Sequence, residues 1–199
     1  AMSYSEFTLE SVQTAFDLTI TERANLLDDS PINESSKFLK ELLKEFAPLA
    51  LAMNTEKARS ELIIAPILVE VRKQYIDKAS LFSGVELNID RDRGLNGVCD
   101  FLLSRSPSQL MLKAPVVVVV EAKKENINGA LGQCIAEMWA AKLFNQQHEN
   151  DISVIYGAAT TGNDWKFLRL CDRLVEIDLT EYQLSNIDKI LGILSLAFQ

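Results

Sequence analysis

The chain has 199 residues, 48% hydrophobic and 24% charged, which suits one soluble globular unit with a substantial core. Its formal net charge of −8 argues against a general nucleic-acid binder, and no apolar run is long enough to span a bilayer, so no membrane partner is expected. Three scattered cysteines (Cys99, Cys134, Cys171) lack metal-ligand spacing and suit a reducing cytoplasm, while the single His148 excludes chemistry that needs several imidazoles.

Taken in order, the N-terminus shows no signal-peptide pattern, and Ala1 before Met2 reads as a residue left by expression. Thr8-Leu9-Glu10-Ser11 opens a short helix with Thr8 as its cap. Leu27 to Pro31 reads as a loop. From Ser35, the residues Phe38, Leu39, Leu42, Leu43 and Phe46 recur at helical spacing, and this helix is expected to stop before Pro48. A second helical region follows to about Ala79, re-capped near Asn54-Thr55 and kinked at Pro66. On it Glu61 shares a stripe with Ile64, Ala65 and Leu68, while Glu70 falls on the other side with Arg59 and Ile63; Glu56 lies in the first turn.

Strands are expected at Leu81–Ile89, Gly97–Leu103 and Val116–Val120, joined closely enough to form an antiparallel meander. The five consecutive valines are β-branched and unbroken by polar residues, so they read as a central strand covered on both faces. A helix from Ile127 to Gln147 uses Leu131, Cys134, Ile135, Met138 and Ala141 as its apolar side. Strands at 152–159, 165–170 and 174–179 and a final helix capped by Ser185 complete the chain. The order gives an α/β sandwich with a mixed central sheet flanked by helices, in which residues 1–47 form an N-terminal helical extension and 48–199 the main domain.

The chemistry gathers at the end of the valine strand. Glu121 and Lys123 share a face, and Asp100 on the neighbouring strand can approach Glu121. Two carboxylates there repel unless a cation lies between them, and a hard cation prefers such oxygen ligands, with the carbonyl of Ala122 as a further one. An adjacent ammonium can position an attacking water or stabilise a phosphate. The plain alternative is a structural ion pair between Asp100 and Lys123. Around this strand Arg91, Arg93, Arg105, Lys113, Lys123 and Lys124 outnumber Asp92, Asp100 and Glu121. No glycine-rich phosphate loop, nucleophile elbow or His-based triad supports a different enzyme class.

Gly97-Val98-Cys99-Asp100-Phe101, then Glu121-Ala122-Lys123, then Gln133 in the next helix resemble the PD-(D/E)XK nuclease superfamily, whose fold is the restriction-endonuclease-like one. The Thr160-Thr161-Gly162-Asn163-Asp164-Trp165-Lys166-Phe167 hairpin is similar to one in the N-terminal domains of type I restriction motor subunits and their stand-alone relatives. The resemblance covers roughly Glu56 to Leu170, and Cys99 stands where the family's proline would be. It implies that residues 48–199 are a restriction-endonuclease-like domain that hydrolyses phosphodiester bonds in DNA with Mg²⁺ or Mn²⁺. Asp100 and Glu121 would hold the metal with the Ala122 carbonyl, Lys123 would position or activate water, and Gln133 would orient substrate or water. A carboxylate on the preceding helix, with Glu61 preferred over Glu70 or Glu56, would join the metal. Glu137, one turn after Gln133, either shares its face or merely solvates the helix. The alternative is a catalytically inactive module of the same fold that binds protein or nucleic acid, for instance as a homodimer.

Overall fold

A computed structural model describes residues 2–199. A seven-stranded mixed, open sheet lies between two layers of helices, with strand order β1-β7-β6-β5-β4-β3-β2. The strands are β1 (Thr19–Arg23), β2 (Ser80–Glu86), β3 (Val98–Ser104), β4 (Val116–Ala122), β5 (Val154–Thr160), β6 (Asp164–Cys171) and β7 (Leu174–Gln183). The β2–β3–β4 meander is antiparallel as the short connections require. The connection from β4 to β5 passes through helix α5 (Leu131–Gln147), so those strands are parallel.

All seven residues of β4 are buried. On one side, α5 and α1 (Leu9–Phe16) pack Leu131, Ile135, Met138 and Phe16 against Val119 and Leu102. On the other, α2 (Lys37–Met53), α4 (Ala65–Gln74) and α6 (Ile187–Ser195) pack Leu39, Ile67, Leu68, Ile190 and Leu194 with Val118, Val120 and Phe101. Among the described residues, no helix is long and apolar enough to cross a membrane.

The N-terminal stretch is not an appendage. Residues 19–23 add β1 to the sheet edge, in parallel register with β7. The expected elements leave β1 out: Thr19-Ile20-Thr21 are β-branched, but the segment is short and almost wholly exposed, so no apolar alternation marks it as a strand. Two glycines mark how closely this segment is applied. A Cβ at Gly132 would fall 2.4 Å from the Thr8 backbone, and one at Gly192 would collide with the Pro31 carbonyl. The boundary expected at 47/48 falls inside α2, which runs through Pro48 to Asn54 in the left-handed conformation. Proline inside a helix costs about 3 kcal/mol, yet the buried stripe Leu39, Leu43, Ala47 and Ala50 continues across it and the helix runs on to Met53.

Thr55 caps the next turn, α3 (Glu56–Arg59), as the sequence suggests. A π turn, Ser60–Ile64, then leads into α4, with Pro66 at its start. That wider turn adds a residue to the helical phase. Glu61 is thereby turned outward, away from Ile64 and Leu68, which are buried as expected, while Ile63 and Glu70, expected on the other side, are buried as well because α4 is covered on both flanks. At the far end of the chain, Ser185 lies within a short 3₁₀ turn before α6 and caps nothing.

The start of β4 is pinned by a side chain. Buried Asn145 of α5 accepts from Val116 N–H at 2.8 Å and donates to Val116 O at 2.9 Å. Val116 sits where the β3–β4 register shifts, so the amide fills in for an irregular ladder. Asn145→Ala leaves two buried backbone groups unpaired, and we expect a loss of about 2–4 kcal/mol in urea unfolding. A loss under 0.5 kcal/mol would contradict the role given to this amide.

Candidate functional site

The β3–β4 ladder ends at Phe101↔Val120. Gly97, with φ of +133°, bends the approach to β3, and the neighbouring Val98 is exposed. Past the last pair, the Asp100 side chain does the work of a backbone acceptor: Oδ2 accepts from Ala122 N–H at 2.8 Å. On its other edge β4 remains paired with β5 through Ala122↔Thr160, and Lys123 N–H donates to Thr160 O. Asp100 is thereby tied to the end of β4, beside Glu121 and Lys123.

Glu121 is buried and points toward α5, and its Oε1 lies 3.6 Å from Lys123 Nζ. The lysine thus pairs with Glu121 rather than with Asp100. Ala122 enters through its N–H. Gln133, in the first turn of α5, neighbours Glu137, which is wholly buried one turn later. Glu137 also neighbours Glu121 and Cys99, yet neither of its oxygens has a hydrogen-bond partner in proper geometry, and Glu121 Oε2 has none either. So the residue in place of a proline, Cys99, borders the acidic cluster with a buried thiol.

The structure brings together Asp100, Glu121, Ala122, Lys123 and Gln133, and adds Glu137. It does not bring in the helix carboxylates. Glu61 is exposed, pairs with Lys57 at 3.3 Å, and lines an apolar groove with Phe38, Leu42 and Val69 in the opposite helical layer. Glu70 is buried in that layer but accepts from Ser36 N–H at 2.7 Å and Ser36 Oγ at 2.9 Å, fixing the start of α2. Glu56 is exposed in the first turn of α3. The signal for Glu137 was its spacing: Ala130, Cys134, Glu137 and Ala141 follow one another by four, three and four, so Glu137 is a lone carboxylate on a small-residue stripe.

Burial holds the Glu121 carboxyl well above the ordinary range; the charges of Glu137 and Asp100 push the same way and Lys123 pulls against them. Burial likewise raises the Glu137 carboxyl. Burial also raises the thiols of Cys99 and Cys134, so neither is poised as a nucleophile at neutral pH.

Among the described residues, no three His, Cys, Asp or Glu side chains are grouped to hold a metal ion. The donors that do meet are oxygens: two carboxylates with unpartnered atoms, beside an amide. That set fits a hard cation, which can bind through one or two carboxylates and keep several waters. A polar cleft of about 380 Å³ adjoins the strand end, lined by Arg59, Lys124, Asn126, Asn128 and Asn163 among others.

The raised carboxyls make stability depend on pH. A folded pKa above the unfolded value means that the native state holds its protons more tightly. The stabilisation is complete below the unfolded carboxylate range near about pH 4 and fades as pH rises through the folded values. In chelator, we expect the protein to lose stability between pH 6 and pH 9, by about 1.4 kcal/mol per unit of raised pKa traversed. Glu137→Gln removes one of these buried acids and should flatten that slope, read by thermal unfolding at three pH values. An unchanged slope in the variant would rule out Glu137 as a source.

No protein-family model matches the chain, and no curated protein matches it.

Proposed function

We propose that the chain is a metal-dependent nuclease-like domain of the PD-(D/E)XK type, with a restriction-endonuclease-like fold, that hydrolyses phosphodiester bonds in DNA. The observation that carries this reading is the meeting of Asp100 with Glu121 and Lys123 at the ends of two adjacent antiparallel strands, fastened by the bond from Ala122 N–H to Asp100 Oδ2. Further support comes from the order of elements, a helix, a three-stranded meander, a helix and a parallel strand, which matches the resemblance in the sequence.

In this reading Asp100 and Glu121 hold Mg²⁺ or Mn²⁺. The bound ion would supply Lewis acidity and a more acidic water. The rest falls to the protein. Lys123, partly exposed and held by Glu121, presents an ammonium that can orient a water or offset charge on a phosphoryl oxygen. The carboxamide of Gln133 is at hand to orient water. Lys124 lines the adjoining cleft, where a phosphate of a bound strand can be met, and Arg59 adds its charge there while its guanidinium is held by Asn54 Oδ1 and Thr161 O.

Two observations favour the second reading, an inactive module that binds protein or nucleic acid: the net charge of −8, and the lack of a three-side-chain metal group among the described residues. Cleavage of plasmid or oligonucleotide DNA with Mg²⁺ or Mn²⁺ separates the two. Lys123→Ala and Asp100→Asn should each lower the rate by about 100-fold or more. Asparagine still offers an oxygen to Ala122 N–H, so the strand end survives in that variant. Nuclease activity retained in both variants, or absent from the wild type with either ion, would dismiss the catalytic reading.

A further inference from the structure

The fold satisfies its other buried carboxylates. Asp178 accepts from Leu27 N–H at 3.2 Å, Thr180 N–H at 2.9 Å and Tyr182 Oη at 3.0 Å. Glu70 has both partners on Ser36. Glu137 is the exception: it is 0% exposed, and neither oxygen meets a donor in full hydrogen-bond geometry, although the Glu121 carboxyl, the Cys99 thiol and the Gln133 amide lie close to it. Glu121 Oε2 shares that condition beside it. Buried polar groups are nearly always paired, and leaving one unpaired costs about 1–3 kcal/mol, more for a charge. Three such oxygens in one place form a set of acceptors that the surrounding side chains do not compensate. Asp100 differs, because its Oδ2 is already engaged by Ala122 N–H.

We propose that Glu137 is a cation ligand, and that a hard divalent ion of the Mg²⁺ or Mn²⁺ class seats between Glu121 and Glu137, on the α5 side of β4. The inference rests on the cation-dependent reading of the site and moves the ion's principal anchors from the two strands to a strand and a helix. Gln133, one turn before Glu137 and next to it, offers an amide oxygen to the same seat. Two carboxylates, an amide oxygen and waters are a donor set that such an ion accepts. Asp100 then stands at the margin, where its charge reinforces the seat while its oxygen holds the strand end.

The test is Mn²⁺ binding to the full chain, by titration calorimetry and by the loss of the free-ion electron paramagnetic resonance signal. The proteins are wild type, Glu121→Gln, Glu137→Gln, Glu137→Asp and Asp100→Asn. We expect Glu121→Gln and Glu137→Gln each to weaken binding about 10-fold or more, a loss seen even for outer-shell partners, and Asp100→Asn to weaken it less than Glu137→Gln does. Glutamine keeps the shape of the buried side chain, and aspartate keeps the charge while shortening the reach, so a binding loss in both variants with unaltered circular dichroism marks ligation. Wild-type affinity in both Glu137 variants overturns the proposal and leaves the cation-dependent reading standing. No binding by the wild type at millimolar Mn²⁺ overturns both. Binding that depends on Glu137, in a protein that cuts no DNA, upholds the seat and defeats the nuclease.

Discussion

Seven residues of β4 are buried in succession, and a strand enclosed on both faces must find an apolar partner above and below at every step. The whole chain answers that demand. Helices α1 and α5 close one face and α2, α4 and α6 the other, and the first fifty residues serve both layers. Because the enclosure extends to Glu121, the strand carries a carboxylate into a place where water does not reach. The fold then offers it one ammonium at 3.6 Å and one more buried carboxylate, rather than a set of donors. A charge so placed is expensive unless something compensates it.

How much of this was legible in the sequence follows from how local each signal is. The valine run, the meander that ends in it and the Thr8 cap depend on short stretches and short connections, and they stand as read. Strand β1 depends on β7, some 155 residues later in sequence, and the β-branched Thr-Ile-Thr at its start, without apolar alternation, is too short a signal to announce it. Pro48 misleads because propensity is a weak prior and a continuous apolar stripe overrides it. Glu61 misleads for a geometrical reason: the π turn from Ser60 shifts the phase, so a stripe drawn at a constant helical period places it on the wrong face, whereas Glu70 is buried by its bonds to Ser36 on a helix covered on both flanks.

The cluster at the strand end was half legible. Glu121 and Lys123 follow from the strand period, and Asp100 from strand adjacency. The bond from Ala122 N–H could not be foreseen, because it exists only where the ladder stops and a side chain replaces the missing backbone acceptor. Glu137 was visible only as an alternative. A helix buried nearly all round shows no polar face against which a misplaced carboxylate stands out, so its stripe of small residues is easy to miss.

Net charge bears on the proposed substrate in a specific way. A chain at −8 gains little from long-range attraction to a polyanion, since that attraction comes from neutralised phosphates and displaced counterions. Affinity for a nucleic acid would therefore have to arise at short range. The strand end is where the local balance permits it, with Lys123 beside the acidic cluster and Lys124 and Arg59 in the adjoining cleft. The same cleft carries Glu125, Asp164 and Glu181, so its cations do not act unopposed. A bound divalent ion would shift that balance more than any single side chain, because it would bring two positive charges to the strand end and displace protons that the buried glutamates otherwise hold. Cation and substrate would then bind with positive coupling: the seat that β4 and α5 leave uncompensated becomes the condition for a phosphate to approach at all.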